Sequence, residues 1–201
     1  MPASKPATHK GRATRDRVLD AAAALVFERG VAGTTLDDVR AAASVSKSQL
    51  YHYFADKDDL VRAVIDHTVQ QVLDAQPRLA DLSSWSAIAA WFDDLVSLQV
   101  ARHAAGGCPI GSLAGELAET DQLARQELAA GFDRWEAPLL DGLMTMRTRG
   151  KLRRGADPAR LATATLASIQ GGLVLTQTRR DPEQLRIALD AAYTHLRSFA
   201  A

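Results

Sequence analysis

The sequence predicts an all-α protein. Alanine and leucine are abundant, proline and glycine are scarce inside the long segments, and apolar residues recur at three- and four-residue spacing. No alternating run of β-branched residues argues for a strand.

The elements follow in order. Residues 1–13 read as a flexible basic arm, with Lys5, Lys10 and Arg12 and no acid; Arg15 brings the local excess in the first fifteen residues to four positive charges. The arm has no apolar h-region and so is not a secretory signal. The first helix is expected from about Thr14, through Val18, Ala22, Leu25 and Val26, to Gly30, a residue suited to a left-handed helix end. Thr35 with Asp38 forms an N-cap pattern that opens a short helix through Leu36, Val39 and Ala43. Ser46 with Gln49 repeats it and opens a third helix, Lys47 to Phe54, with Leu50 and Phe54 on one face. Asp56 can cap a fourth, linking helix to about Gln76, where Pro77 stops it.

Residues 78–201 read as a larger second domain, after a first domain over 14–60. Trp85, Ile88, Phe92, Leu95 and Val96 mark a helix to about Ala104, broken by Gly106, Gly107 and Pro109. A short helix over Ser112 to Glu119 precedes a long one from about Asp121 to Arg149, striped by Leu128, Phe132, Trp135, Leu139 and Leu143. Pro138 inside it predicts a kink or break near Ala137. Asp157-Pro158 and Asp181-Pro182 open the last two helices, which end near Thr178 and Phe199.

The 201 residues carry 24 basic and 24 acidic side chains, so attraction to a charged partner must be local. The longest apolar run, Ala21 to Phe27, is far below the roughly 20 residues that span a bilayer, which excludes a membrane span. A single cysteine, Cys108, rules out an intrachain disulfide and fits a reducing, cytoplasmic setting. His9, His52, His67, His103 and His195 are scattered, no nucleophile set or phosphate loop can be assembled, and neither a cofactor, a metal nor an enzymatic role is expected.

Residues 36–54 have the lengths of a helix-turn-helix, in which the second short helix enters the DNA major groove. Its expected outer face carries Lys47, Ser48, Gln49, Tyr51 and His52, types that contact phosphates or base edges, while Leu50 and Phe54 anchor it inward. The stretch Thr14 to Ala63 resembles the DNA-binding domain of TetR-family regulators. The resemblance rests on Val18-Leu19-Asp20-Ala21-Ala22, Phe27-Glu28-Arg29-Gly30, Thr34-Thr35-Leu36-Asp37-Asp38-Val39, the run Val45 to Phe54, and Lys57-Asp58-Asp59-Leu60. It implies nine helices, four for DNA and five for ligand and dimerisation, and repression relieved by a small molecule. By position, Thr35, Lys47, Tyr51, Tyr53 and Lys57 resemble phosphate contacts, and Ser48, Gln49 and His52 resemble base-facing positions; Ser46 caps the reading helix. Gln49 can pair bidentately with adenine or fold back onto the Ser46 backbone, and Tyr53 can pack against the first helix.

Gly106 to Ala114 resembles a stretch found in a subset of the family with diverse ligands. Gln99 and His103 continue the stripe of Trp85, Phe92 and Val96, so they either line an effector pocket or are solvated at an exposed helix end. Gln170, among Leu166, Ile169 and Leu173, is a further pocket candidate; Phe92 and Trp135 suit pocket wall or core, and Phe132, Met144 and Met146 suit core. Cys108 is either an inert buried thiol or a redox or electrophile sensor.

The last two helices, about 158–178 and 182–199, place Leu185, Leu189, Ala192, Leu196 and Phe199 on one face and a small-residue ridge at Ala164, Ser168 and Gly172. The resemblance implies that they pair with their copies in a homodimer, hence two reading helices on one face of a near-palindromic double-stranded DNA operator. A helical ligand-binding protein that does not touch DNA, and a structural protein using the first domain for protein contacts, are the alternatives; the basic arm argues against the second.

Overall fold

The Thr8 hydroxyl accepts a hydrogen bond from the Gly11 amide (3.1 Å) and sets the start of helix α1 (His9–Arg29). The helix thus begins ahead of Thr14, and Lys10 and Arg12 are helical, a correction to the arm expected over these positions. The cause is local: a hydroxyl that satisfies a first-turn amide starts a helix without any apolar residue. The computed structural model describes residues 8–201, so the rest of the expected arm, with Lys5, lies outside the described residues.

Eight more α-helices follow: α2 (Leu36–Ala42), α3 (Lys47–Tyr53), α4 (Lys57–Asp74), α5 (Trp85–Ala101), α6 (Pro109–Leu117), α7 (Gln122–Thr148), α8 (Pro158–Arg179) and α9 (Glu183–Arg197). A 3₁₀ turn, Pro77–Ala80, lies between α4 and α5. Among the described residues the only extended pairing is an isolated bridge between Leu152 and Ala200, so the fold is all-α as expected.

Two boundaries shift. Helix α5 ends at Ala101, short of Ala104, and α6 starts at Pro109 rather than Ser112. The Cys108 sulfur accepts from the Gly111 amide (3.3 Å), which serves the first turn of α6, and proline tolerates that position because its missing N–H would be unpaired there anyway. Helix α7 runs through Pro138 without a break, which removes one of the two outcomes, kink or break, expected there. Trp135, Leu139, Leu143 and Met146 are buried along its stripe, and their packing outweighs the proline penalty.

The chain forms two compact units. The first comprises the described residues up to Gln71 together with Ser112–Gly131, and the second Val72–Gly111 with Phe132–Ala201. The sequence pattern predicts a single domain over 78–201. Side-chain contacts draw Ser112–Gly131 to the first unit: a Cβ at Gly131 would stand 2.6 Å from a methyl of Val69 on α4. The core of the first unit joins Val18, Leu19 and Ala22 of α1, Val39 of α2, Leu50 and Tyr53 of α3, Phe54, and Leu60 and Val64 of α4.

In the second unit α8 packs along α9. A Cβ at Gly172 would lie 2.8 Å from Leu185 and 3.0 Å from Ala188, so glycine is what allows this approach. Leu185, Leu189, Ala192 and Leu196 are buried there, within the protomer's own core. The face expected to meet a partner is therefore corrected: that stripe and Gly172 are used inside the chain. The same unit is centred on Gln76, whose Oε1 accepts from the indole N–H groups of both Trp91 (3.0 Å) and Trp135 (3.1 Å), while its amide donates to the Val72 carbonyl (2.7 Å). The sequence marks Gln76 only as a helix end, before Pro77.

Replacing Gln76 with leucine leaves two buried indole donors unpaired, at about 1–3 kcal/mol each. Urea denaturation of Gln76→Leu should show a loss of at least about 2 kcal/mol; a loss below about 0.5 kcal/mol would mean that the amide is dispensable.

Candidate nucleic-acid interface and ligand site

A seven-residue helix is too short to persist by propensity, and α3 is held from both ends. At its start the Ser46 hydroxyl accepts from the Gln49 amide (3.1 Å) and the Gln49 side-chain oxygen accepts from the Ser46 amide (2.9 Å), a reciprocal capping box. Leu50, Tyr53 and Phe54 are sunk in the core at 2%, 8% and 1% exposure. With that side fixed inward, Ser46, Lys47, Ser48, Gln49, Tyr51 and His52 are all exposed.

Of the two roles open to Gln49, folding back on Ser46 is the one observed. Tyr53 takes the packing role weighed for it. The Lys47 ammonium lies 5.9 Å from the centre of the Tyr51 ring, and the Arg15 guanidinium lies 5.5 Å from that of Phe54. Thr35 caps α2 in the same way, its hydroxyl accepting from the Asp38 amide (3.1 Å) and donating to the Asp38 carboxylate (2.6 Å). The bonds from Thr35 hold the Asp38 carboxyl below the ordinary carboxylate range, so the contribution of this box is full above that range and is lost as the pH falls through it to the lowered value. Lys57 opens α4 and is half-buried.

Three supports escaped sequence reading. Arg17 donates to the Ala43 carbonyl (3.1 Å) and fixes the end of α2 to α1. Ser44, in the turn between α2 and α3, adopts the left-handed region (φ 53°) usually left to glycine. The Glu116 carboxylate accepts from the amides of Val31 (2.9 Å) and Ala32 (3.0 Å) and sits against Gly30, whose φ of 75° marks the end of α1. Charge-assisted bonds of this kind are about twice as strong as neutral ones, so Glu116 fixes the loop that leads into α2. Its signal in the sequence, a lone glutamate 85 residues away from Val31, has no local pattern.

In the second unit the pocket candidates separate. Phe92 and Trp135 are buried, and the Trp135 N–H is committed to Gln76. Gln99 is 3% exposed, and its Oε1 has no hydrogen-bond partner. His103 leaves the stripe: α5 has already ended, the residue takes φ 52°, and it is exposed, so the solvated reading holds there. Gln170 is half-buried and its carboxamide meets the Cys108 thiol beside Gly111. Cys108 is 6% exposed, and burial pushes its thiol above the ordinary value, which keeps it protonated and weakly nucleophilic near neutral pH.

A capped short helix with a polar outer face, set behind a second short helix and carried on two longer ones, defines a helix-turn-helix DNA-binding module. The family model for bacterial regulatory proteins of the tetR family matches residues 18–64, and that for the C-terminal domain of LmrA/YxaF-like transcriptional regulators matches residues 84–191. The chain therefore belongs to the TetR family of transcriptional regulators, DNA-binding proteins rather than enzymes. It is 29% identical to an uncharacterized HTH-type transcriptional regulator in the lacX 3' region of Lactococcus lactis subsp. lactis, over 91% of this chain and 93% of that one. It is 25% identical to the HTH-type transcriptional repressor DhaR of Mycobacterium sp. (strain GP1), over 85% and 86% respectively. The crystal structure of a TetR transcriptional regulator from Chloroflexus aurantiacus J-10-FL superposes with a TM-score of 0.81 at 29% identity, covering 96% of this chain and 98% of that one. Among the described residues no helix is long and apolar enough to cross a membrane, and no cluster of three or more His, Cys, Asp or Glu could hold a metal ion.

Proposed function

We propose that this regulator is a cytoplasmic repressor that grips a near-palindromic operator as a homodimer and releases it when a small-molecule effector binds in the second unit. The observation that carries the DNA reading is the outer face of α3, where six consecutive or near-consecutive polar residues from Ser46 to His52 are exposed around a buried Leu50. In this reading Thr35, Lys47, Tyr51 and Lys57 contact phosphates, and Ser48, Gln49 and His52 face bases. Tyr53 contributes by seating the helix in the core. Gln49 reads a base only by giving up or sharing its bond to Ser46, which lowers its worth as a reader relative to a free amide.

Repression is the sign suggested by the relative DhaR, which is named a repressor. The dimer reading rests on the outward faces of α8 and α9. Ala167, Gly171, Val174 and Leu175 lie along one and Ile187 and Ala191 along the other, all exposed, with Val174 and Ile187 each at 58%. Small and apolar residues four apart let a second copy approach closely. Effector release requires only that the ligand bind one dimer conformation better than the other, for which about 1–3 kcal/mol of coupling is typical. The thiol-sensor alternative has the burial of Cys108 against it.

Two experiments test this. Titration of a labelled fragment from upstream of the protein's own gene against excess unrelated DNA should give competitor-resistant binding, with a shallower salt dependence in Lys47→Ala and relaxed sequence preference in Gln49→Ala. Equal, weak binding of both DNAs by all three proteins would count against the reading. In sedimentation at micromolar concentration the wild type should run as a dimer and Ile187→Asp as a folded monomer; a wild-type monomer would refute the dimer.

A further inference from the structure

Charge is unevenly placed within the first unit. Residues 10–17, near the start of α1, carry Lys10, Arg12, Arg15 and Arg17 against a single acid, Asp16. Among the other described residues of that unit, Arg29, Arg40, Lys47, Lys57, Arg62 and Arg125 are outnumbered by twelve carboxylates. Three of those six cations are paired with a neighbouring acid: Arg29 with Glu28 (3.6 Å), Arg40 with Asp37 (3.1 Å) and Arg62 with Asp59 (3.6 Å). Such a unit repels a polyanion except where its cations are gathered. Two contacts place the basic stretch beside the helix-turn-helix. The Arg17 Nε donates to the Ala43 carbonyl at the end of α2 (3.1 Å), and the Arg15 guanidinium lies 5.5 Å from the centre of the Phe54 ring at the end of α3. The buried residues of α1 begin only at Val18, so its first two turns run ahead of the core, with Lys10 and Arg12 exposed. Lys10 stands about 7.5 Å along the axis beyond Arg15. Cations in the first turns oppose the helix dipole, so the stability of α1 does not account for them.

Resting on the DNA reading of α3, we infer that Lys10 and Arg12 form a second DNA contact, to backbone phosphates that flank the bases faced by α3. The helical state of the stretch decides the mode of contact. An α-helix with its side chains is about 10–12 Å across and the minor groove is about 6 Å wide, so the start of α1 lies along the backbone and not in that groove. Lysine and arginine on exposed turns grip phosphates without regard to sequence. They add affinity and salt dependence, while the choice of sequence stays with α3. Arg15 and Arg17 are positioning residues, which hold the stretch to the ends of α3 and α2.

The test compares the full-length wild type with a variant combining Lys10→Gln and Arg12→Gln, which removes two charges and leaves Arg15, Arg17 and the Thr8 cap in place. The melting temperature should stay within about 2 °C of the wild type, as for exposed side chains; a larger fall would make the pair structural and overturn the inference. Both proteins are then titrated with the upstream fragment and with an unrelated duplex across a salt series. Between about 50 and 200 mM salt the wild type should lose at least about tenfold more affinity than the variant on either duplex, because the variant makes two fewer phosphate contacts. The preference for the upstream fragment should be the same in both proteins. Equal salt dependence would overturn the inference, and so would a preference lost in the variant, since that would make these residues base readers. Hydroxyl-radical footprinting on the upstream fragment locates the contact: the variant should leave open an outer edge of backbone that the wild type protects, and identical footprints would overturn the inference. Failure of the DNA reading of α3 is distinct: the wild type would bind both duplexes alike, while the difference in salt dependence between wild type and variant would remain.

Discussion

The architecture of the first unit depends on how a helix of only seven residues can be made rigid enough to present side chains to another molecule. Isolated helices of this length do not persist in water. Here the reciprocal bonds between Ser46 and Gln49 satisfy two amides at its start, and the burial of Leu50, Tyr53 and Phe54 fixes its rotation. Rotation is what matters most, because a turn of the helix by one residue would bring Lys47 or His52 inward and an apolar side chain outward. The surrounding contacts serve the same end. Arg17 holds the end of α2, the Thr35–Asp38 box holds its beginning, and Glu116 holds the loop before it.

The second unit solves a different problem, the placement of amides in an apolar interior. Gln76 shows the stable solution: one carboxamide meets two indole N–H groups and a backbone carbonyl, and so ties α5 and α7 to the end of α4. Gln99 is the same residue type buried with its Oε1 unpaired, and the Gln170 carboxamide meets the Cys108 thiol. The thiol of Cys108 falls on the structural side, since burial keeps it protonated and its sulfur caps the first turn of α6.

The helical class, the number of helices and the helix-turn-helix were legible because they rest on local signals: apolar spacing, the two box patterns, Gly30, and the Asp-Pro starts. What was not legible depends on contacts between distant residues. Nothing near Glu116 announces its bonds to Val31 and Ala32, and nothing near Gln76 announces two tryptophans. The stripe Leu185–Leu196 was correctly read as apolar, but periodicity cannot say whether an apolar face meets its own chain or another; the structure buries it against α8. For His103 the exposed of its two readings is the one observed. The helix ended sooner than the stripe, so a spacing rule was applied where no helix existed.

The central claim is that the outer face of α3 reads DNA sequence. The most direct measurement is selection by the purified protein from a pool of random-sequence duplexes, followed by sequencing of the retained fraction at moderate salt. The account predicts enrichment of one near-palindromic motif whose half-sites are centred about one helical turn or more apart, as two symmetry-related reading helices require. A retained fraction with no sequence in common, differing from the starting pool only in length or charge, would contradict it, since it would reduce α3 to a nonspecific phosphate-binding surface.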